Sequence, residues 1–264
     1  MKKKASKLLT FLYLGVFLFS AFSLAKYLYT YYETSKSLKE VQAIYQATLT
    51  AIEEQPSDQI VENQMTDGES TLSIRPQFNE LLAINPNIVG WISVDGTKLN
   101  NPILQADNND FYLNHNFKDQ ESRAGSVFMD YRNNTLDMNQ NTILYGHAMK
   151  NDTMFGSLNN YLKQDYVDEH PIIYLDTLYE GYDIEVFAAY ETTIDFYYIE
   201  TDFKSREAYQ QFLEEVQERS SIQMNVGISP DDKILTLSTC KDSVMSDDHR
   251  FVVQGKLVKR SDVK

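Results

Sequence analysis

The sequence predicts a mainly β fold, an eight-stranded barrel that is closed or nearly closed, preceded by helix. Three observations lead there: eight short apolar or alternating runs follow one another beyond residue 72, only two helical stretches interrupt them, and turn residues mark several joins. The first two runs, 88–94 and 101–105, flank Asp95-Gly96, where the glycine supplies the positive φ that a tight hairpin needs. Further strand candidates are 125–130, 141–148, 171–176, 182–192, 233–240 and 251–258. Helical patterns mark 153–162 and 204–220, the second carrying Tyr209, Phe212, Leu213 and Val216 on one face. Ahead of the strands, Phe78, Leu81 and Leu82 fit a short helix that stops before Asn85-Pro86, because the residue before a proline is driven out of the helical region.

The amino-terminal part is of a different kind. Lys2, Lys3, Lys4 and Lys7 precede an apolar run from Leu8 to Ala25, which continues past Lys26 into Tyr27, Leu28 and Tyr29. A run of that length can span a bilayer, with the lysines held on the cytoplasmic side and the rest of the chain outside. A cleaved signal peptide is the alternative, since Ser23-Leu24-Ala25 offers small residues at the spacing a signal peptidase reads. The length of the run and its Tyr-rich end favour the uncleaved anchor, and both readings export the domain. Leu38, Val41, Ile44, Tyr45 and Leu49 recur near helical spacing, so a juxtamembrane helix is expected over 33–52, followed by a polar linker over 55–70. The expected division is a basic tail and transmembrane anchor at 1–30, juxtamembrane helix and linker at 31–71, and the barrel domain at 72–264.

Composition excludes some functions. A formal net charge of −14 on 264 residues argues against a nucleic-acid partner, which requires a surplus of Lys and Arg. No Gly-rich phosphate loop is present, nor a Cys/His cluster spaced for zinc. The one acidic cluster that resembles a calcium loop, 107–110, lacks the EF-hand pattern and reads as a solvated turn rather than a metal site.

Cys240 is the sole cysteine, and it closes the apolar segment Ile234-Leu235-Thr236-Leu237-Ser238-Thr239-Cys240. An unpaired cysteine in an exported domain suggests a thiol kept for its chemistry, against the plainer reading of a small buried apolar residue. A cysteine nucleophile needs a base or cation nearby. Of the four histidines, His147 ends the strand-like run 141–147 beside Gly146, while His115 and His170 sit in polar loops and His249 adjoins Arg250. If the strands ending at Cys240 and beginning at Phe251 are antiparallel neighbours, Arg250 faces Cys240. Its fixed fork of donors can then hold a carbonyl or developing oxyanion.

Taken together, Tyr145-Gly146-His147, Thr236-Leu237-Ser238-Thr239-Cys240 and Arg250-Phe251-Val252-Val253 resemble the three signature segments of the sortases, the cysteine transpeptidases of Gram-positive surfaces. The long helix between the strands beginning at Tyr182 and Lys233, with the helical amino-terminal extension, resembles class B. The resemblance implies that Cys240 attacks a carbonyl within an LPXTG-like sorting pentapeptide, that His147 serves as acid and then base, and that Arg250 stabilises the oxyanion. It further implies a substrate groove containing Asn109, Leu113, Tyr145, Ser238, Tyr198 and Ile199, and no tightly bound cofactor. Ile194 stands where a polar residue is expected and Lys241 where some relatives carry an acidic one, so peptide preference does not carry over. The implied partners are sorting-signal proteins or pilins, and an amine of peptidoglycan precursor or of a pilin lysine. The other readings of the residues are a secreted cysteine peptidase and a non-catalytic, membrane-tethered module binding peptide or cell wall.

Overall fold

The computed structural model describes residues 2–53, 73–193, 195–240 and 249–260, leaving aside the side chains of 2–9, Thr30 and Cys240. The linker expected at 55–70 and the substitutions noted at Ile194 and Lys241 lie outside the described residues. The chain divides into two compact units, Met1–Glu40 and Val41–Lys264.

Helix α1, Lys2–Glu53, runs without a break across the expected boundary at residue 30. Its Thr10–Ile52 stretch is apolar and long enough to cross a membrane, with a mean hydropathy of 1.6 in its most apolar part. Phe11, Phe17, Phe19, Phe22 and Leu28 are exposed there, as side chains of a span that meets lipid would be.

The second unit begins with the last turns of α1. Val41 and Tyr45 are buried, the Tyr45 ring stacks on Trp91 at 4.1 Å, and its hydroxyl donates to Asp176. Asp176 is also held by Arg75 and Arg260, so a polar cluster fixes this end of the helix against the strands. A 3-10 turn, Pro76–Phe78, then leads into α2, Asn79–Ile84, which ends before Pro86 as expected.

Eight strands close a barrel: β1 Ile88–Ser93, β2 Asn100–Leu104, β3 Val127–Met129, β4 Asn141–Tyr145, β5 Ile172–Thr177, β6 Gly181–Thr192, β7 Ile234–Cys240 and β8 Arg250–Lys259. The order around the ring is β1-β2-β3-β4-β7-β8-β6-β5. Six of the neighbouring pairs are antiparallel, while β2–β3 and β4–β7 are parallel. The β1–β2 hairpin turns at Gly96, whose φ of 72° lies in the region that glycine enters without steric cost. Ile92, Ile103, Leu144, Leu175, Val186, Leu235 and Val253 belong to one apolar core.

The stretch expected as a helix over 153–162 is different in detail. Asp152 and Met154 take positive φ, which no right-handed helix accommodates, so turns occupy 151–157. A 3-10 turn at Leu158–Leu162 and helix α3, Gln164–Glu169, follow. The later helix is as read: α4, Arg206–Arg219, is capped by Ser205 Oγ accepting from the Ala208 amide. Its buried Tyr209, Phe212, Leu213 and Val216 pack with Phe187, Tyr190, Phe196, Tyr198 and Val252. Helix α4 therefore holds the 196–203 segment against the outside of β6 and β8, and that segment carries Tyr198 and Ile199.

Candidate active site

Backbone pairing brings the three candidate reactive residues to one rim of the barrel. Strands β4 and β7 run parallel with Tyr145 opposite Ser238. His147 and Cys240 each lie two residues further on, at the same level of neighbouring chain segments. Strand β8 returns antiparallel on the other side of β7 and sets Arg250 directly opposite Cys240. Three residues scattered over more than a hundred positions thus end side by side, with Cys240 in the middle.

Local structure holds the histidine in place. The Gly146 amide still donates to Ser238 O at 3.3 Å, and the His147 carbonyl accepts from the amides of Met149 and Phe155. Phe155 lies directly over Gly146, with ring atoms 3.0 Å from where a β-carbon would stand, so any side chain there would press on the ring. The half-buried imidazole sets Nε2 2.8 Å from the Leu113 carbonyl oxygen. A carbonyl can only accept, so in the neutral ring Nε2 carries the proton and Nδ1 keeps the lone pair that can exchange a proton with a reactant. The other histidines have local roles: His115 stacks on Phe111 at 4.1 Å, His170 packs on Tyr166, and His249 pairs with Glu191 at 3.1 Å. Arg250 is half-buried and donates through Nη1 to the His249 carbonyl.

The six expected groove positions fall into two groups. Tyr198 and Ser238 are buried and share a hydrogen bond of 2.8 Å between hydroxyls. Asn141, wholly buried, donates to the carbonyls of Tyr198 and Glu200 and accepts from Thr236, tying their segment to β4 and β7. Asn109, Leu113, Tyr145 and Ile199 are half-buried. Asn109 Nδ2 and the Tyr145 hydroxyl both donate to Asp130 Oδ2, at 3.0 and 2.9 Å. Arg132 completes the cluster with a two-pronged hydrogen bond to the Asp130 carboxylate, and its Nη2 reaches the Ile199 carbonyl at 2.9 Å.

Burial alone would raise the pKa of Asp130, but the Arg132 hydrogen bonds and charge and the Tyr145 hydroxyl outweigh it and hold the carboxyl below its ordinary range. The same pairing raises Arg132, and burial together with the Asp130 charge raises Tyr145 and keeps its hydroxyl a neutral donor. Asp130, Arg132 and Asn141 were not singled out from the sequence. Asp130 read as the end of a strand, and an Asp-X-Arg triplet right after an apolar run is the signal that was there to use.

Proteins of known kind resemble this chain in sequence and fold. The Sortase domain profile matches residues 92–258. A Listeria monocytogenes sortase B is 38% identical over 257 residues, covering 97% of this chain and 98% of the relative. The chain belongs to the sortases, class B. A Staphylococcus aureus sortase B is 47% identical over 188 residues, 71% of this chain and 77% of that protein. Among solved structures, a Staphylococcus aureus sortase B–substrate complex superposes with a TM-score of 0.76 at 40% identity, covering 87% of this chain and 98% of that one. A Bacillus anthracis sortase B in complex with AAEK1 gives 0.73 at 45% identity, over 88% and 99% of the two chains. Membership of this family makes the chain a cysteine transpeptidase that acts on sorting signals, in a closed barrel of the kind its sequence predicts.

Proposed function

We propose that this class B sortase is a membrane-anchored transpeptidase in which Cys240, His147 and Arg250 carry the chemistry. The observation that supports it best is the strand register, in-line for β4 and β7 and antiparallel for β7 and β8, which brings the three residues together at one rim. In this reading the Cys240 thiolate attacks a backbone carbonyl of the sorting pentapeptide, and the Arg250 fork stabilises the oxyanion. As the tetrahedral centre collapses, the amide C–N bond breaks and His147, protonated, gives its Nδ1 proton to the departing amine. A thioester to Cys240 remains. An incoming amine then attacks it, His147 takes up the amine proton, the new amide bond forms, and the thiolate leaves.

A sortase B has been solved in complex with triglycine. This supports a glycine-type amine, as in a peptidoglycan cross-bridge, as the acceptor to try before a pilin lysine. The substrate is a sorting-signal surface protein met outside the membrane, since the lysines before Leu8 would keep the amino terminus in the cytoplasm. Protease added to intact cells should therefore digest the 73–260 domain, and its protection would refute the topology.

Mass spectrometry of the purified protein with LPXTG-type pentapeptides tests the chemistry. The expected result is a thioacyl adduct on Cys240 that triglycine discharges as a new peptide bond, with neither adduct nor product from Cys240→Ala. Transfer by Cys240→Ala would remove Cys240 from the mechanism, and discharge by a pilin lysine but not by triglycine would reassign the acceptor.

A further inference from the structure

We propose that Asp130 and Arg132 form a positioning pair for the peptide groove, fixing three separate segments of its wall so that peptide affinity depends on them while the reactivity of Cys240 does not. The inference rests on the reading above that Asn109, Tyr145, Tyr198 and Ile199 belong to the substrate groove.

Asp130 follows directly on β3 and is fully buried. Its two carboxylate oxygens take five donors: the Arg132 amide and Nε on Oδ1, and Arg132 Nη2, Asn109 Nδ2 and the Tyr145 hydroxyl on Oδ2. A buried carboxylate is costly unless paired and fully hydrogen-bonded, and here both conditions are met. A loop anchor would need only local partners. These come from the segment before β3, from the end of β4 two residues ahead of His147, and, through Arg132, from the chain between β6 and α4. Arg132 Nη1 donates to the Tyr197 hydroxyl and Nη2 to the Ile199 carbonyl. Asn109 in turn accepts from the Tyr131 amide through Oδ1, which locks its amide plane. One carboxylate and one guanidinium therefore set the spacing between groove segments that are far apart in the chain.

None of these contacts reaches Cys240 or Arg250. The chemistry should survive their loss, whereas the peptide should meet a looser wall. Asp130→Asn is the informative change because it is nearly isosteric. Its oxygen can still serve the Oδ1 donors, but its amide nitrogen then faces three donors that it cannot accept from.

The test measures binding apart from chemistry. On the Cys240→Ala protein, the Kd of the tightest binder from an LPXTG-type pentapeptide library is read with and without Asp130→Asn. On the Cys240 protein, iodoacetamide alkylation and transfer to triglycine are followed. The expected results are a Kd weakened about tenfold or more, alkylation within about twofold of the parent, and a higher KM with kcat nearly kept. The loss of affinity should shrink in an Asn109→Ala/Tyr145→Phe background, because the pair acts through those side chains. A merely structural role would lower the fraction of active molecules and leave the Kd of the remainder unchanged, which overturns the proposal.

Should Asp130→Asn fail to fold, Arg132→Lys carries the same test. Lysine keeps the charge against Asp130 but cannot also span Tyr197 and Ile199, and a parental Kd in that variant overturns the proposal too. If the parent binds peptide yet transfers none, the enzymatic reading fails while this one is still decided by Kd. If the parent binds no peptide at all, the groove reading falls and takes this inference with it.

Discussion

Replacing Gly146 by alanine adds one methyl group at the point where the chain passes from β4 to His147, and the structure determines what that methyl meets. Its φ is outside the left-handed region, so the backbone accepts an alanine, and the stiffer unfolded chain alone would stabilise the protein by about 0.4–1 kcal/mol. Against this, the new β-carbon would stand 3.0 Å from two ring atoms of Phe155. The ring has little freedom to yield: Phe155 is 1% exposed within the apolar core, and its amide is tied to the His147 carbonyl at 3.1 Å. Overpacking of a tight core costs about 1–3 kcal/mol. The net expectation is a loss of about 1–2 kcal/mol, read in thermal unfolding as a melting point lower by about 2–8 °C for a domain of this size. Because relief must come from the strand end, the imidazole shifts by a few tenths of an ångström. A misplacement of 1 Å can cost about a hundredfold in rate, so peptide transfer should fall by about three- to tenfold. Phe155→Leu in the alanine background should recover part of both losses. A Gly146→Ala protein that melts with the parent and transfers peptide as fast would refute the reasoning, by showing that the ring moves aside freely.

Two further outcomes follow from the same structure. Arg250→Lys keeps the charge opposite Cys240 and loses the fork, so with about 3 kcal/mol of oxyanion stabilisation at stake turnover should fall about a hundredfold while iodoacetamide still alkylates Cys240, and a near-parental rate would pass the oxyanion role to backbone amides. Asp130 is held below its ordinary value of 3.8, so the folded state binds fewer protons than the unfolded one, and the stability this contributes is present above about pH 4 and lost as pH falls through the folded-state value. Urea unfolding between pH 6 and pH 3 should therefore show a shallower loss for Asp130→Asn than for the parent, not a flat one, because Asp232 is depressed as well, and identical slopes would remove Asp130 from the acid response.

How much of this could be read from the sequence depends on the distance over which each feature is determined. Strand and turn are local: alternation, a glycine at position 96 and the Tyr209, Phe212, Leu213, Val216 face each declare themselves within a few residues, and all eight strands and helix α4 lie close to where the pattern puts them. The 153–162 stretch failed because positive φ at Asp152 and Met154 is imposed by the turn that seats Phe155 over Gly146, and that contact cannot be seen in the pattern. Composition changes near residue 30 while helix α1 continues through it. That Arg250 would stand opposite Cys240 could be anticipated because one residue ends β7 and the other opens its antiparallel neighbour β8. Asp130, Arg132 and Asn141 carry no such mark, as their partners come from up to 95 residues away.

The parallel pairing of β4 with β7 is what turns a β barrel into a site. In a simple up-and-down meander consecutive strands alternate direction, and two neighbours cannot end at the same rim. Here β4 and β7 are parallel and adjacent, so both run to the same rim, where their pairing ends at Tyr145 and Ser238, two residues before His147 and Cys240. Antiparallel β8 then enters at that same rim, which lets a residue from the start of one strand meet residues from the ends of two others. The β7–β8 ladder fixes the backbone of Cys240 and Arg250, and β4, which ends at Tyr145, delivers His147 two residues further on. Beyond the ladders, the Leu113 carbonyl orients the imidazole, and the Asp130–Arg132 cluster and the Asn141 amide hold the surrounding segments. In the proposed mechanism the nucleophile, the proton carrier and the oxyanion donor are thus brought around one carbonyl by sheet register.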